Sequence, residues 1–181
     1  MNILRGAQVE KDDAGTTLVE VLLYIALVSV IVLAVTSLLS VVYSTKKRAI
    51  VLNEVDQQGN LAMSYVLQTI RNARTTTSPT AGASASSLQI EVYDVNKTPT
   101  IFRLNGGTLE VSEKGNASSL SSTSVIVSNL TFRNLTSSTG SSDDGTIRVE
   151  FTMTYRATDG RRESTYSRTF YGSADVRGSN T

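Results

Sequence analysis

Residues 15–43 read GTTLVEVLLYIALVSVIVLAVTSLLSVVY, and this stretch decides how the N-terminal part of the chain folds. No charge, Pro or Gly interrupts Val21–Tyr43. A helix over that run spans roughly 35 Å, enough to cross a hydrocarbon core of about 30 Å. A core helix of a globular domain is rarely apolar on every face over such a length. A cleavable secretory signal has a shorter apolar region, usually about 7–15 residues, followed by a small-residue cleavage site. Here the run is longer and leads into Ser44-Thr45-Lys46-Lys47-Arg48, so it reads as an anchor. One carboxylate, Glu20, sits just inside its start. An ionisable group at the bilayer centre costs about 2.5–3.5 kcal/mol, which makes Glu20 a candidate functional residue.

Whole-chain composition narrows the function classes. The chain has 181 residues, enough for one modest domain plus an anchor. Net charge is +1, so nothing in bulk electrostatics favours nucleic acid. Cys is absent, which removes disulfides, thiolate catalysis and Cys-based zinc sites together. His is absent too, taking away the commonest general base and metal ligand. A serine nucleophile would need a base, and no Ser-Lys pairing stands out. The sequence therefore reads as non-enzymatic and calls for no cofactor or metal.

Orientation is not set by charge. Arg5, Lys11 and the terminal amine precede the run, and Lys46, Lys47 and Arg48 follow it. Counted by positive charges alone, the two sides tie. The basic triplet itself reads as a solvated, snorkelling flank or as a contact for anionic head groups.

The order of features at the N-terminus resembles the type III signal of type IV pilins and type II secretion pseudopilins. A short hydrophilic leader ends in Gly15, then come Thr16-Thr17-Leu18-Val19-Glu20 and an apolar run beginning Val21-Leu22-Leu23-Tyr24-Ile25-Ala26. The family's usual form is Gly-Phe-Thr-Leu-Ile-Glu. Thr16 stands where the family has an aromatic, and Asp12-Asp13-Ala14 precede Gly15 where a basic residue is common. The resemblance covers about residues 1–43. It implies that a prepilin peptidase cuts between Gly15 and Thr16 and methylates the new amine. It further implies a single-pass protein of the cytoplasmic membrane with its C-terminal part outside. An assembly ATPase and its platform protein would then draw the chain into an extracellular or periplasmic filament of pilin or pseudopilin subunits.

Two readings of Glu20 follow. After cleavage the Thr16 amine would be its i,i+4 neighbour, and the helix N-terminus favours a carboxylate by about 0.3–1 kcal/mol, so Glu20 can be neutralised within its own chain. The family implies instead that it pairs with the terminal amine of an adjacent subunit and sets axial register, because a slipped subunit leaves a buried charge unpaired.

Beyond the anchor, residues 44–74 read as an amphipathic extension of the helix. Leu52, Val55, Gly59, Ala62, Val66 and Ile70 recur at three- and four-residue steps. Gly59 costs a helix about 1 kcal/mol relative to Ala. Many major pilins carry a Pro or Gly in the apolar half; residues 16–58 have neither, which favours a minor pilin or pseudopilin.

Residues 75–181 read as a Ser/Thr-rich β-domain. Thr75–Ser87 is rich in breakers and reads as a loop that ends the helix. Period-two runs follow at Leu88–Val95, Thr100–Leu104, Thr108–Ser112, Val125–Phe132, Thr146–Arg156 and Arg162–Tyr171, with loops at about 115–124 and 136–145. Asn105-Gly106 and Asp159-Gly160 are dipeptides that tight hairpins prefer. Ile147, Val149, Phe151, Met153 and Tyr155 alternate as a central strand would, facing the second half of the long helix. The expected fold is therefore α+β: a long N-terminal helix, part membrane and part amphipathic, packed on a mainly antiparallel sheet, as in the pilin fold.

The remaining signals are weak. Asp143-Asp144-Gly145 lacks the spaced ligands of a calcium loop and reads as a turn. Asn96, Asn116, Asn129 and Asn134 each begin a glycosylation sequon, as chance allows in so Ser/Thr-rich a chain. Arg161, Arg162 and Arg168 read as a solvated face, with a contact to DNA or another subunit as the alternative. The class that competes with a filament subunit is a single-span anchored surface or ligand-binding protein that does not polymerise.

Overall fold

The computed structural model describes residues 17–136, 145–157 and 165–177. Among these residues one helix, α1, runs over Leu18–Arg71, and nine strands follow. They are β1 (Ala73–Ser78), β2 (Ser84–Ala85), β3 (Leu88–Val92), β4 (Thr100–Asn105) and β5 (Thr108–Glu113), then β6 (Asn116–Ser119), β7 (Val125–Asn134), β8 (Thr146–Tyr155) and β9 (Ser167–Asp175). The chain divides into two units after Tyr43.

In the first unit α1 is one helix long and apolar enough to cross a membrane, with a mean hydropathy of 2.8 in its most apolar window and none of that window buried. Three of its hydroxyls turn inward on the helix. Ser29, Thr36 and Ser40 donate to the carbonyls of Ile25, Val32 and Thr36 at 2.7, 2.8 and 3.0 Å. A helix whose polar groups bond within its own segment suits a hydrocarbon solvent, which offers no hydrogen bonds.

In the second unit the last turns of α1 pack on two antiparallel sheets rather than the one expected. The first has the strand order β1-β3-β4-β5-β6 and the second β2-β7-β8-β9. The helix buries Val51, Val55, Gly59, Ala62, Met63, Val66 and Ile70, a stripe at three- and four-residue steps. Val51 and Met63 belong to it, whereas Leu52 lies only half-buried. Leu88, Ile90 and Phe102 from the first sheet and Phe132, Val149 and Phe151 from the second join the same core. Full burial of each such side chain contributes about 1.5–3 kcal/mol. Phe102 ties the parts together, edge-on to Tyr65 of the helix at 6.3 Å and 6.5 Å from Phe132 of the second sheet.

Strand β8 is central in its sheet, flanked by β7 and β9. Ile147, Val149, Phe151 and Met153 are fully buried, as their alternation requires, while Tyr155 is half-buried against the core edge. The β4–β5 hairpin turns at Gly106 and Gly107, with φ of 56° and 83°, one residue beyond the expected Asn105-Gly106 pair. Two positive φ values in succession make the mirror-image turn that matches strand twist.

Elsewhere the strands depart from expectation. The helix ends at Arg71 rather than 74, where the Asn72 amide donates to Gln68 and Thr69 carbonyls at 3.1 and 3.2 Å. The expected loop 75–87 instead holds most of β1 and all of β2, and the expected loop 115–124 holds β6. Strand β3 stops at Val92 rather than 95, and β9 continues to Asp175 rather than ending at 171. The Asp159-Gly160 turn and Asp143-Asp144 lie outside the described residues.

Candidate functional site

Gly15 and Thr16, the expected processing positions, lie outside the described residues, and the description starts at Thr17. Thr17 caps α1. Its hydroxyl accepts from the Glu20 amide at 3.3 Å, and its carbonyl accepts from the Val21 amide at 3.2 Å. Thr17-Leu18-Val19-Glu20 thus has the Thr-x-x-Glu spacing of a capping box, which places Glu20 in the first turn, where the helix dipole favours a carboxylate. One helical turn on, the Tyr24 hydroxyl donates to Glu20 Oε1 at 2.9 Å. Glu20 is the one charged residue between Thr17 and Tyr43, and its tyrosine partner went unread in the sequence although the i,i+4 spacing was there. Along the helix beyond it Leu22, Ile25, Leu33 and Leu38 are all exposed, so the apolar surface is open on every side. A helix of this kind needs lipid or other apolar helices as its surroundings.

The second unit contains a pocket of about 680 Å³ that no sequence signal announced. Tyr65, Thr69 and Arg71 from the end of α1 form one wall, with Tyr93 and Lys97 from the β3–β4 connection and Glu113 from β5 opposite. Glu113 Oε1 accepts from Tyr65 Oη at 3.1 Å and from Lys97 Nζ at 3.3 Å. Burial pushes the Tyr65 phenol above its ordinary value, and the bond to Glu113 adds to the rise. The Lys97 ammonium is raised mainly by its hydrogen bond to Glu113. These three residues are far apart in the chain, so only the folded β4–β5 hairpin and the packing of α1 on it bring them together.

Arg168, expected on a basic face, is instead committed to the helix. Its guanidinium pairs with Asp56 at 2.9 Å and lies 5.3 Å from the Phe170 ring centre. The hydrogen bond with Asp56 raises it further. Arg161 and Arg162 are outside the described residues. Of the four sequon asparagines, Asn134 is buried and its amide donates to the Pro79 carbonyl at 3.0 Å, which closes it to a glycan. Asn96, Asn116 and Asn129 are exposed.

No family model matches the chain, and no curated protein and no solved structure matches it either.

Proposed function

We propose that the chain is a non-enzymatic filament subunit of the minor pilin or pseudopilin kind, with a pilin-like fold. The observation that carries this reading is the uniformly apolar, unburied stretch of α1 up to Tyr43, which opens at a Thr17 cap with Glu20 as its one charge, directly after Gly15-Thr16. A prepilin peptidase cuts after Gly15, and the chain waits as a single-pass protein with residues beyond Tyr43 outside the cytoplasmic membrane. The assembly ATPase and platform then move the apolar half of α1 from lipid into a bundle of like helices. The exchange is feasible because one apolar surface replaces another, so packing and polar pairing decide the register. Glu20 supplies that pairing by meeting the Thr16 amine of an adjacent subunit, and a misregistered copy would leave a buried charge unpaired.

Fractionation tests the proposal. Mechanical shearing of cells, or release of periplasmic filaments, recovers the processed chain together with other filament subunits. Confinement of the whole population to the membrane overturns it. That outcome would favour the second reading, an anchored ligand-binding protein, for which the pocket beside Tyr65 is the specific observation.

A further inference from the structure

The pocket at the end of α1 is built around fixed tyrosines and free guanidinium groups. Tyr65 is held by Glu113, and Tyr93 Oη donates to the Arg177 carbonyl at 3.3 Å, so both rings are anchored at their hydroxyls. The segment carrying Arg177 is itself fixed, since Val176 is buried and its amide donates to the Gly145 carbonyl at 2.8 Å. Three cations line the space, Arg71, Lys97 and Arg177, against two carboxylates, Asp94 and Glu113. Lys97 and Glu113 are spent on each other. Asp94 Oδ1 accepts from the Asn96 amide at 2.9 Å. Arg71 and Arg177 make no side-chain hydrogen bond or ion pair among the described residues, which leaves two planar forks without an acid partner.

We propose that this pocket binds an acidic saccharide of one or two rings, with its carboxylate on Arg71 and Arg177. The volume lies within the ~300–1,000 Å³ typical of small-ligand sites. Guanidinium forks match a carboxylate in a bidentate manner, which a neutral sugar cannot exploit. Tyrosine rings offer flat apolar faces to the C–H face of a sugar, while Gln68 and Asn72 supply donors and acceptors for its hydroxyls. The Thr69 hydroxyl, which donates to the Tyr65 carbonyl at 2.8 Å, adds an acceptor. A purely apolar ligand would leave these amides and both cations desolvated without partners, which is unfavourable. The inference concerns the second unit alone and stands or falls independently of filament assembly.

Titration calorimetry on the full chain in detergent micelles tests it, with digalacturonate as the probe and galactobiose and citrate as comparators. Digalacturonate gives saturable binding, and galactobiose binds at least about tenfold more weakly, the loss of one charge-assisted contact. Arg71→Gln and Arg177→Gln each weaken digalacturonate by about tenfold or more while leaving the melting temperature near that of the parent. No saturation up to about 10 mM, equal binding of galactobiose, equal binding of citrate, or an unchanged affinity in the double variant each overturns the proposal.

Discussion

Gly59 of α1 and Phe170 of β9 claim the same space: a Cβ on Gly59 would clash with the tip of the Phe170 ring at Cζ. The glycine that looked like a flaw in the amphipathic stripe is the notch that admits the ring. The contact is one step of a longer register. Arg168 meets Asp56, Phe170 meets Gly59, and Gly172 leaves room for Met63, whose Sδ would lie 2.7 Å from a Cβ there. Alternate residues of a strand advance about 6.6 Å, close to one turn of helix, so β9 and α1 stay in step. Phe170 also stacks on Phe151 of the central strand at 5.5 Å, which carries the contact into the sheet.

Gly59→Ala is accordingly destabilising although alanine is the better helix former. The propensity gain of about 1 kcal/mol is outweighed by overpacking, which costs about 1–3 kcal/mol when a ring must move. Thermal denaturation of the full chain in detergent shows a melting temperature several degrees lower. Adding Phe170→Leu to Gly59→Ala recovers part of the loss, because the smaller side chain vacates the notch. A melting temperature raised by Gly59→Ala alone contradicts the register.

Tyr65 makes a pH prediction with a definite sign. Its phenol is raised above the ordinary 10.0 by burial and by Glu113. A group whose pKa is raised on folding contributes stability in full below its unfolded value and loses it as pH rises through the folded value. Stability therefore falls as pH climbs past about 10, and Lys97, raised by the same carboxylate, acts in the same direction. Ultraviolet titration of the phenols shows a late-ionising phase, and Tyr65→Phe removes it. A late phase that persists in the variant assigns it to another residue.

Glu20→Ala separates processing from assembly. The Thr17 cap is retained, since it uses the Glu20 main-chain amide rather than the carboxylate. Processing at Gly15 continues near the parent level, while recovery in sheared filaments falls by more than about tenfold, as expected when a register-setting buried pair is lost. Tyr24→Phe, which removes only the 2.9 Å bond to Glu20 Oε1, has a much smaller effect. Equal recovery of Glu20→Ala and the parent in filaments contradicts the assigned role.

What the sequence made legible follows from the physics of each element. The apolar run needs only composition, and the helix extension needs only a three-to-four step from Val55 to Ile70. Strand β8 shows itself because Ile147, Val149, Phe151 and Met153 alternate on one buried face. Strands β1, β2 and β6 read ARTTTS, SA and NASS, with little apolar alternation to betray them. Pairing with β3, β7 and β5 defines them, and pairing is a tertiary fact. The division into two sheets is hidden for the same reason. So is the pocket, whose Tyr65, Lys97 and Glu113 meet only after the β4–β5 hairpin closes. At the N-terminus the order Gly15, Thr16, Glu20 was legible, but the Thr17 cap and the Tyr24 partner were not singled out.

Assembly as a pilin-like subunit requires cleavage of the bond between Gly15 and Thr16. Intact-mass and N-terminal fragment spectra of the chain extracted from the membrane measure it directly. A mature chain that begins at Thr16 with a methylated amine, free to meet Glu20 of an adjacent subunit, is the expected result. A chain that retains Met1 to Gly15 contradicts it.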